Sequence, residues 1–286
     1  MGGFVTALQA EVFISLRSLG SKIVVLTPAL VVLLQFFVAW LRQAGVQTRD
    51  DLLGGQQVVA ALAAGNAYGH LVDGLDTGLI LLGLMLVALA AHTFAFDRDT
   101  GLLRHVLIRR VSRCALVLAK LAHLHLLALA SLVLLLVVSI AAAGLLWEYG
   151  PVVEDGYELI GSAEMQQEIR RGLVLALLPL PALMAFGLLV SVSAQTAIQA
   201  VTAALGVTLA LDMFKPLLGN AMQYLYVAFQ PSLVNQSYLH EVARIVRGYS
   251  DVLVDERFLQ LNLWVPLPQF LLLSAIALAV VQKRKL

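Results

Sequence analysis

Six long apolar runs, divided by stretches rich in charge and glycine, set the pattern of the chain. They are Ile23–Leu41, Gly78–Phe96, Leu124–Leu146, Gly172–Val192, Ala197–Leu218 and Trp264–Val281. A bilayer core of about 30 Å takes roughly 20 apolar residues as helix. The runs therefore predict six transmembrane helices, the third extended back to about residue 117, with Lys120, His123 and His125 at the interface. Pro179 and Pro181 lie inside the fourth and predict a kink that neighbouring helices can tolerate. Two weaker patterns flank the runs. Phe4, Val5, Leu8, Val12, Ile14 and Leu19 suggest an interfacial helix before the first span. Tyr238, Leu239, Val242, Ile245, Val246 and Tyr249 recur at helical spacing against Glu241, Arg244 and Arg247, predicting a short amphipathic helix before the last span. The fold class is an all-α polytopic membrane protein, with residues 1–286 forming one transmembrane domain.

Composition agrees with this picture and charge orients it. Of 286 residues 60% are hydrophobic and 13% charged, well outside the range of a soluble domain. The net charge of +1 implies no attraction to nucleic acid, and Cys114 alone forms no internal disulfide or cysteine metal cluster. The first apolar run is long enough to span and follows Glu11, Arg17 and Lys22, so no cleavable signal peptide is expected. With the N-terminus in the cytoplasm, the inner segments carry eleven bases against three acids and the outer segments eight against fifteen. The positive-inside bias thus places both termini on the cytoplasmic side of the cell inner membrane. The segment Trp147–Arg171, with Glu148, Glu154, Asp155, Glu158, Glu164 and Glu168, is then an acidic outer loop.

Six of the nineteen bases fall between Ala95 and Lys120, in "AFDRDTGLLRHVLIRRVSRCALVLAK". Asp99 and Thr100 stand at a plausible helix start, where acids favour exposed amides. Beyond Gly101, Leu102, Leu103, Val106 and Leu107 share one face while Arg104, Ile108 and Arg109 turn elsewhere. Such a short amphipathic helix along the membrane is either a topology anchor or a docking element.

The run resembles the segment between the second and third helices of type-2 ABC transporter permeases, which has an acid–Arg–acid triplet, a Gly-Thr pair, leucines, a Pro-Val-Ser-Arg-like turn and a helix-opening lysine. Asp97, Arg98, Asp99, Gly101, Leu103, Leu107, Val111, Ser112, Arg113 and Lys120 stand at matching places. Leu102 replaces the usual threonine and Arg110 the usual proline. The resemblance covers the whole chain in architecture and about 25 residues by motif. It implies that residues 99–113 or so form a coupling helix that docks on a cytoplasmic ATPase subunit through Asp97, Arg98, Asp99, Gly101, Leu103, Arg104, Leu107, Arg109 and Arg113. A second coupling contact would fall on the hairpin at Ser193, Gln195 and Thr196, which is equally well an ordinary tight loop. No G-x-x-x-x-G-K-[ST] phosphate loop is present, so ATP and Mg would be bound by two copies of a partner ATPase and the chain itself is not an enzyme. A second permease copy, most simply a homodimer, would complete the pathway. The function so implied is the membrane subunit of an ABC exporter for a lipophilic or amphipathic substrate. The alternatives are a permease-like subunit that passes ATP-driven motion to an extracytoplasmic partner, as in metalloenzyme maturation, and a membrane enzyme or secondary transporter that uses no ATPase.

Asp212 and Lys215, three apart near the end of the fifth run, are the candidate intramembrane polar site. About 24 Å of helix from Thr196 places them near the outer headgroups, which favours an interfacial ion pair over a substrate site. Gln35, Thr202 and Thr208 fit helix–helix contacts, and Gln195 and Gln199 an inner vestibule. His123 and His125 point to different helix faces, His70 and His92 are isolated, and no metal site is expected. Asn235-Gln236-Ser237 matches a glycosylation sequon. No hydrolase motif is present.

Overall fold

The computed structural model describes residues 2–53, 66–101, 111–154, 157–232, 238–248 and 255–283. Its helices are α1 (Gly2–Arg17), α2 (Leu19–Leu53), α3 (Ala67–Asp99), α4 (Arg113–Leu146), α5 (Ser162–Leu177), α6 (Leu180–Ser193), α7 (Ala197–Met213), α8 (Lys215–Leu218), α9 (Tyr238–Ile245), α10 (Glu256–Trp264) and α11 (Pro266–Lys283). Two 3-10 turns, Gly219–Tyr224 and Tyr226–Phe229, follow α8. One antiparallel hairpin, β1 (Val152–Glu154) with β2 (Tyr157–Ile160), is the only sheet among the described residues. Among the described residues, five helical stretches are long and apolar enough to cross a membrane: Leu19–Val46, α3, α4, Ser162–Ser193 and Glu256–Lys283. The chain is therefore a mostly helical protein of multi-pass type. The fifth predicted span differs: α7 is apolar but has 17 residues, about 25 Å, and breaks at Phe214 before a short helix and the two turns.

α3 is the axis of the bundle. Leu75, Leu79, Leu82, Leu86, Ala90 and Phe94 follow helical spacing into a core shared with α2, α4 and α6. Val87, Ala91 and Ala95 face a second core built with α6 and α7. Small residues bring α3 and α6 together: a Cβ added at Gly187 would stand 2.8 Å from both the Ala90 Cβ and the Val87 carbonyl oxygen. Ser191 Oγ accepts from the amides of Phe94 (3.1 Å) and Ala95 (2.9 Å), closing the same contact with hydrogen bonds. Close backbone approach and hydroxyl bridges are the usual adhesives where lipid removes the hydrophobic drive between helices.

Two prolines open the ladder of their own helices, and in both cases a neighbour fills the gap. A proline at position i cannot bond the carbonyl at i−4. Pro28 so frees the Val24 carbonyl inside α2, and Ser131 Oγ of α4 donates to Val24 O and Val25 O, each at 3.3 Å. Pro179 frees the Leu175 carbonyl, and the buried Asn262 Nδ2 of α10 donates to it at 3.1 Å. The kink predicted from Pro179 and Pro181 is thus a break at residues 178–179 between α5 and α6.

Glu11 of α1 lies against Lys120 of α4, and Gln282 Nε2 of α11 donates to Cys114 Sγ at 3.1 Å, so both ends of the chain lie at one end of the bundle. The opposite end is capped by helical extensions and packed side chains beyond the apolar runs. α2 continues to Leu53 and α3 begins at Ala67, with Asn66 Oδ1 accepting from the Tyr68 amide. Trp147 stacks on His70, packs edge-on against Phe36 and donates from Nε1 to Gln43 Oε1 at 2.7 Å. The predicted amphipathic helix is α9, whose Leu239 and Val242 pack against Gly172 of α5. Tyr238 donates its hydroxyl proton to Glu168 Oε2 at 2.6 Å, and Arg247 pairs with Asp73.

Candidate functional site

The last turn of α3 carries the triplet Asp97-Arg98-Asp99, and each member grips a different part of the chain. Lys120, 2% exposed and two turns into α4, places its Nζ 2.6 Å from Asp97 Oδ2 and 2.7 Å from Glu11 Oε1. Three helices, α1, α3 and α4, therefore meet at a single ammonium. An ammonium removed from water needs its charge matched and its protons bonded, and two carboxylates supply both. Arg98 donates to the carbonyl of Ala194, in the short connection between α6 and α7. Asp99 Oδ2 accepts from the amide of Ala197, the first residue of α7, at 2.6 Å.

The Asp99 contact corrects the expectation of a helix start at Asp99 and Thr100. α3 runs through Asp99, Thr100 is its C-cap, and Gly101 follows at φ 74°, the left-handed stop that glycine adopts without strain. A carboxylate at a helix C-terminus opposes the dipole. Here it turns outward to the N-terminus of α7, where the dipole and the free amides favour it. Thr196 Oγ1 completes that cap by accepting from the Gln199 amide at 3.2 Å. The far limit shifts as well. Ser112 is the extended N-cap of α4, accepting from Ala115 N at 3.1 Å, so Arg113 belongs to α4 and any helix between the two spans ends before Val111. Leu103, Arg104, Leu107 and Arg109 of the expected coupling helix lie outside the described residues.

Ser193 ends α6, and Ser193, Gln195 and Thr196 are exposed, in the connection that Arg98 and Asp99 hold. The triplet that opens the first predicted contact region is thus joined to the second. Glu11 was not singled out by the sequence; its only signal was an acid inside an apolar N-terminal pattern. His123, expected at the interface, is buried one turn beyond Lys120.

The second predicted site lies toward the opposite end. Asp212 Oδ1 is 2.5 Å from Lys215 Nζ, and both residues are buried. Lys215 Nζ also donates to the Gln230 carbonyl at 3.5 Å. The pair borders a cleft between α3, α7 and the segment after the second 3-10 turn, lined by Ile80, Leu84, Thr208 and Gln230. No group of His, Cys, Asp and Glu suited to a metal ion occurs among the described residues.

No curated protein and no solved structure matches the chain. One family model does, described as a protein of unknown function (DUF2705), over residues 60–238. That segment holds Asp97, Arg98, Asp99, Lys120, the 194–197 connection and the Asp212–Lys215 pair, and leaves out Glu11. It spans more than half of the 286 residues, and the chain belongs to the DUF2705 family.

Proposed function

We propose that this chain is the membrane-spanning subunit of an ATP-driven transporter resembling type-2 ABC permeases, moving a lipophilic or amphipathic substrate outward. One observation carries the reading: a single triplet at the end of α3, where the first expected ATPase contact begins, grips both α4 and the connection expected to form the second. Asp97 binds the lysine that anchors α4, Arg98 binds Ala194, and Asp99 binds Ala197. A push on either connection is delivered to α1, α3, α4 and α7 together, because buried charge pairs and cap contacts resist separation. Rigid-body transmission of this kind is how small movements at an effector become helix tilts. ATP and Mg are bound by the partner ATPase, and six crossings per copy call for a second copy to frame a path.

The folded cap at the opposite end favours a second reading, in which motion is passed to an extracytoplasmic partner with no solute crossing. The hairpin exposes Val153, Tyr157 and Leu159, which a purely connecting loop has no reason to present. Purification of the full chain from its native membranes tests the coupling reading. A cytoplasmic ATPase is expected to copurify and to be lost from Arg104→Glu and Arg109→Glu variants. Absence of ATPase activity from the wild-type preparation, with transport unaffected by the two reversals, overturns it. Transport into vesicles separates the two readings.

A further inference from the structure

The cleft beside the Asp212–Lys215 pair contains an acceptor with nothing to accept. Gln230 is 6% exposed and lines the cleft, and its Oε1 is buried without a hydrogen-bond partner. A buried amide oxygen left unmade costs about 1–3 kcal/mol, which a donor entering the cleft would recover. The surroundings hold the amide in place. Gly83 makes room for it, since a Cβ there would meet Gln230 Nε2 at 3.1 Å. Gln269 Oε1 accepts from the Tyr226 amide at 2.8 Å and its Nε2 donates to the Tyr224 carbonyl, fixing the segment that leads to Gln230.

Charge and shape limit what can enter. The Asp212 carboxylate and the Lys215 ammonium neutralise each other, and Lys215 already serves Asp212 and the Gln230 carbonyl. The remaining demand is for a donor beside a carboxylate, which suits an ammonium or a hydroxyl and disfavours an anion. Ile80, Leu84, Val227 and Pro231 make much of the wall apolar, with the hydroxyl residues Thr208, which donates to its own helix at Ala204 O, and Ser232 completing it. Leu209 at its edge is 39% exposed on the outer face of α7, so the cleft opens where an acyl chain can follow. We infer that this cleft binds the hydrogen-bond-donating head group, ammonium or hydroxyl, of an amphipathic molecule whose tail leaves past Leu209. The inference rests on the transporter reading only in making that molecule the cargo.

Native mass spectrometry of the full-length chain in detergent, titrated with dodecylamine, dodecanol and dodecanoate, tests it without any ATPase present. One copy of the amine or of the alcohol is expected per chain, with dodecanoate at least about tenfold weaker. Tenfold is the loss expected for one buried hydrogen bond. Gln230→Leu removes the acceptor and Leu209→Trp blocks the exit while touching no polar group; each is expected to weaken binding about tenfold. Tight binding by the amine alone identifies a cationic head, and binding by both identifies a neutral donor as sufficient. Equal affinity for dodecanoate, no binding of amine or alcohol, or wild-type affinity in Leu209→Trp overturns the inference. Retained amine binding with no ATPase in the native preparation overturns the coupling reading and leaves this site standing.

Discussion

Two buried lysines, Lys120 and Lys215, solve the same electrostatic problem in opposite ways. Lys215 takes its carboxylate from three residues away, across the break at Phe214, so the pair is made by the local chain alone. Lys120 takes two carboxylates, from Glu11 and Asp97, and is satisfied only when α1, α3 and α4 have all docked. The local pair leaves room for a cleft beside it. The distant cluster fixes three helices in one relation. A buried charge matched locally is free to serve a ligand, whereas one matched over a hundred residues serves the assembly.

Lys120→Met should have the largest effect, stranding two carboxylates and costing about 3–5 kcal/mol of stability. The triple variant Glu11→Gln, Asp97→Asn, Lys120→Met should recover most of it, as read by thermal unfolding in detergent. Equal losses in the single and triple variants would mean that packing, not charge, holds the junction. Lys215→Met should cost less, about 1–3 kcal/mol, because only one carboxylate is stranded and it borders a cleft. A loss matching that of Lys120→Met would erase the contrast. Smallest is Tyr238→Phe at the capped end, about 1 kcal/mol at neutral pH from the lost bond to Glu168. Burial, then the bond to Glu168, pushes the Tyr238 hydroxyl up to about 12. The folded state thus keeps a proton that the unfolded chain loses from about pH 10, so stability from this group is full below pH 10 and falls between pH 10 and 12. The difference between wild type and Tyr238→Phe should shrink across that window; a constant difference would place the hydroxyl elsewhere.

The apolar runs were legible because hydropathy is a local property, and so were α1, α9 and the proline break, each marked by spacing or by a missing amide. The junction was legible only in part. Asp97, Arg98, Asp99 and Lys120 stood out by motif, but what they hold did not, because Glu11, Ala194 and Ala197 lie 96 to 109 residues from the side chains that bind them and no periodicity reports a tertiary partner. Asp99 was misplaced for a definite reason. An acid beside a threonine reads as a helix start, and only the facing amide of Ala197 explains a carboxylate at a helix end. The hairpin carried a signal that was passed over: Asp155-Gly156 between Val-Val-Glu and Tyr-Glu-Leu-Ile is a common two-residue turn sequence. Polar extensions of α2 and α3 stayed hidden, since a run of hydropathy ends where the lipid does and the helix does not.

The hydroxyl of Ser131 faces two carbonyls at equal distance, Val24 and Val25, across the gap that Pro28 leaves in α2. A donor shared in this way can lean toward either oxygen without giving up its bond. α2 is therefore jointed in its first third like a wrist, able to flex by small angles at little enthalpic cost, and the tendon that limits the flexing belongs to α4.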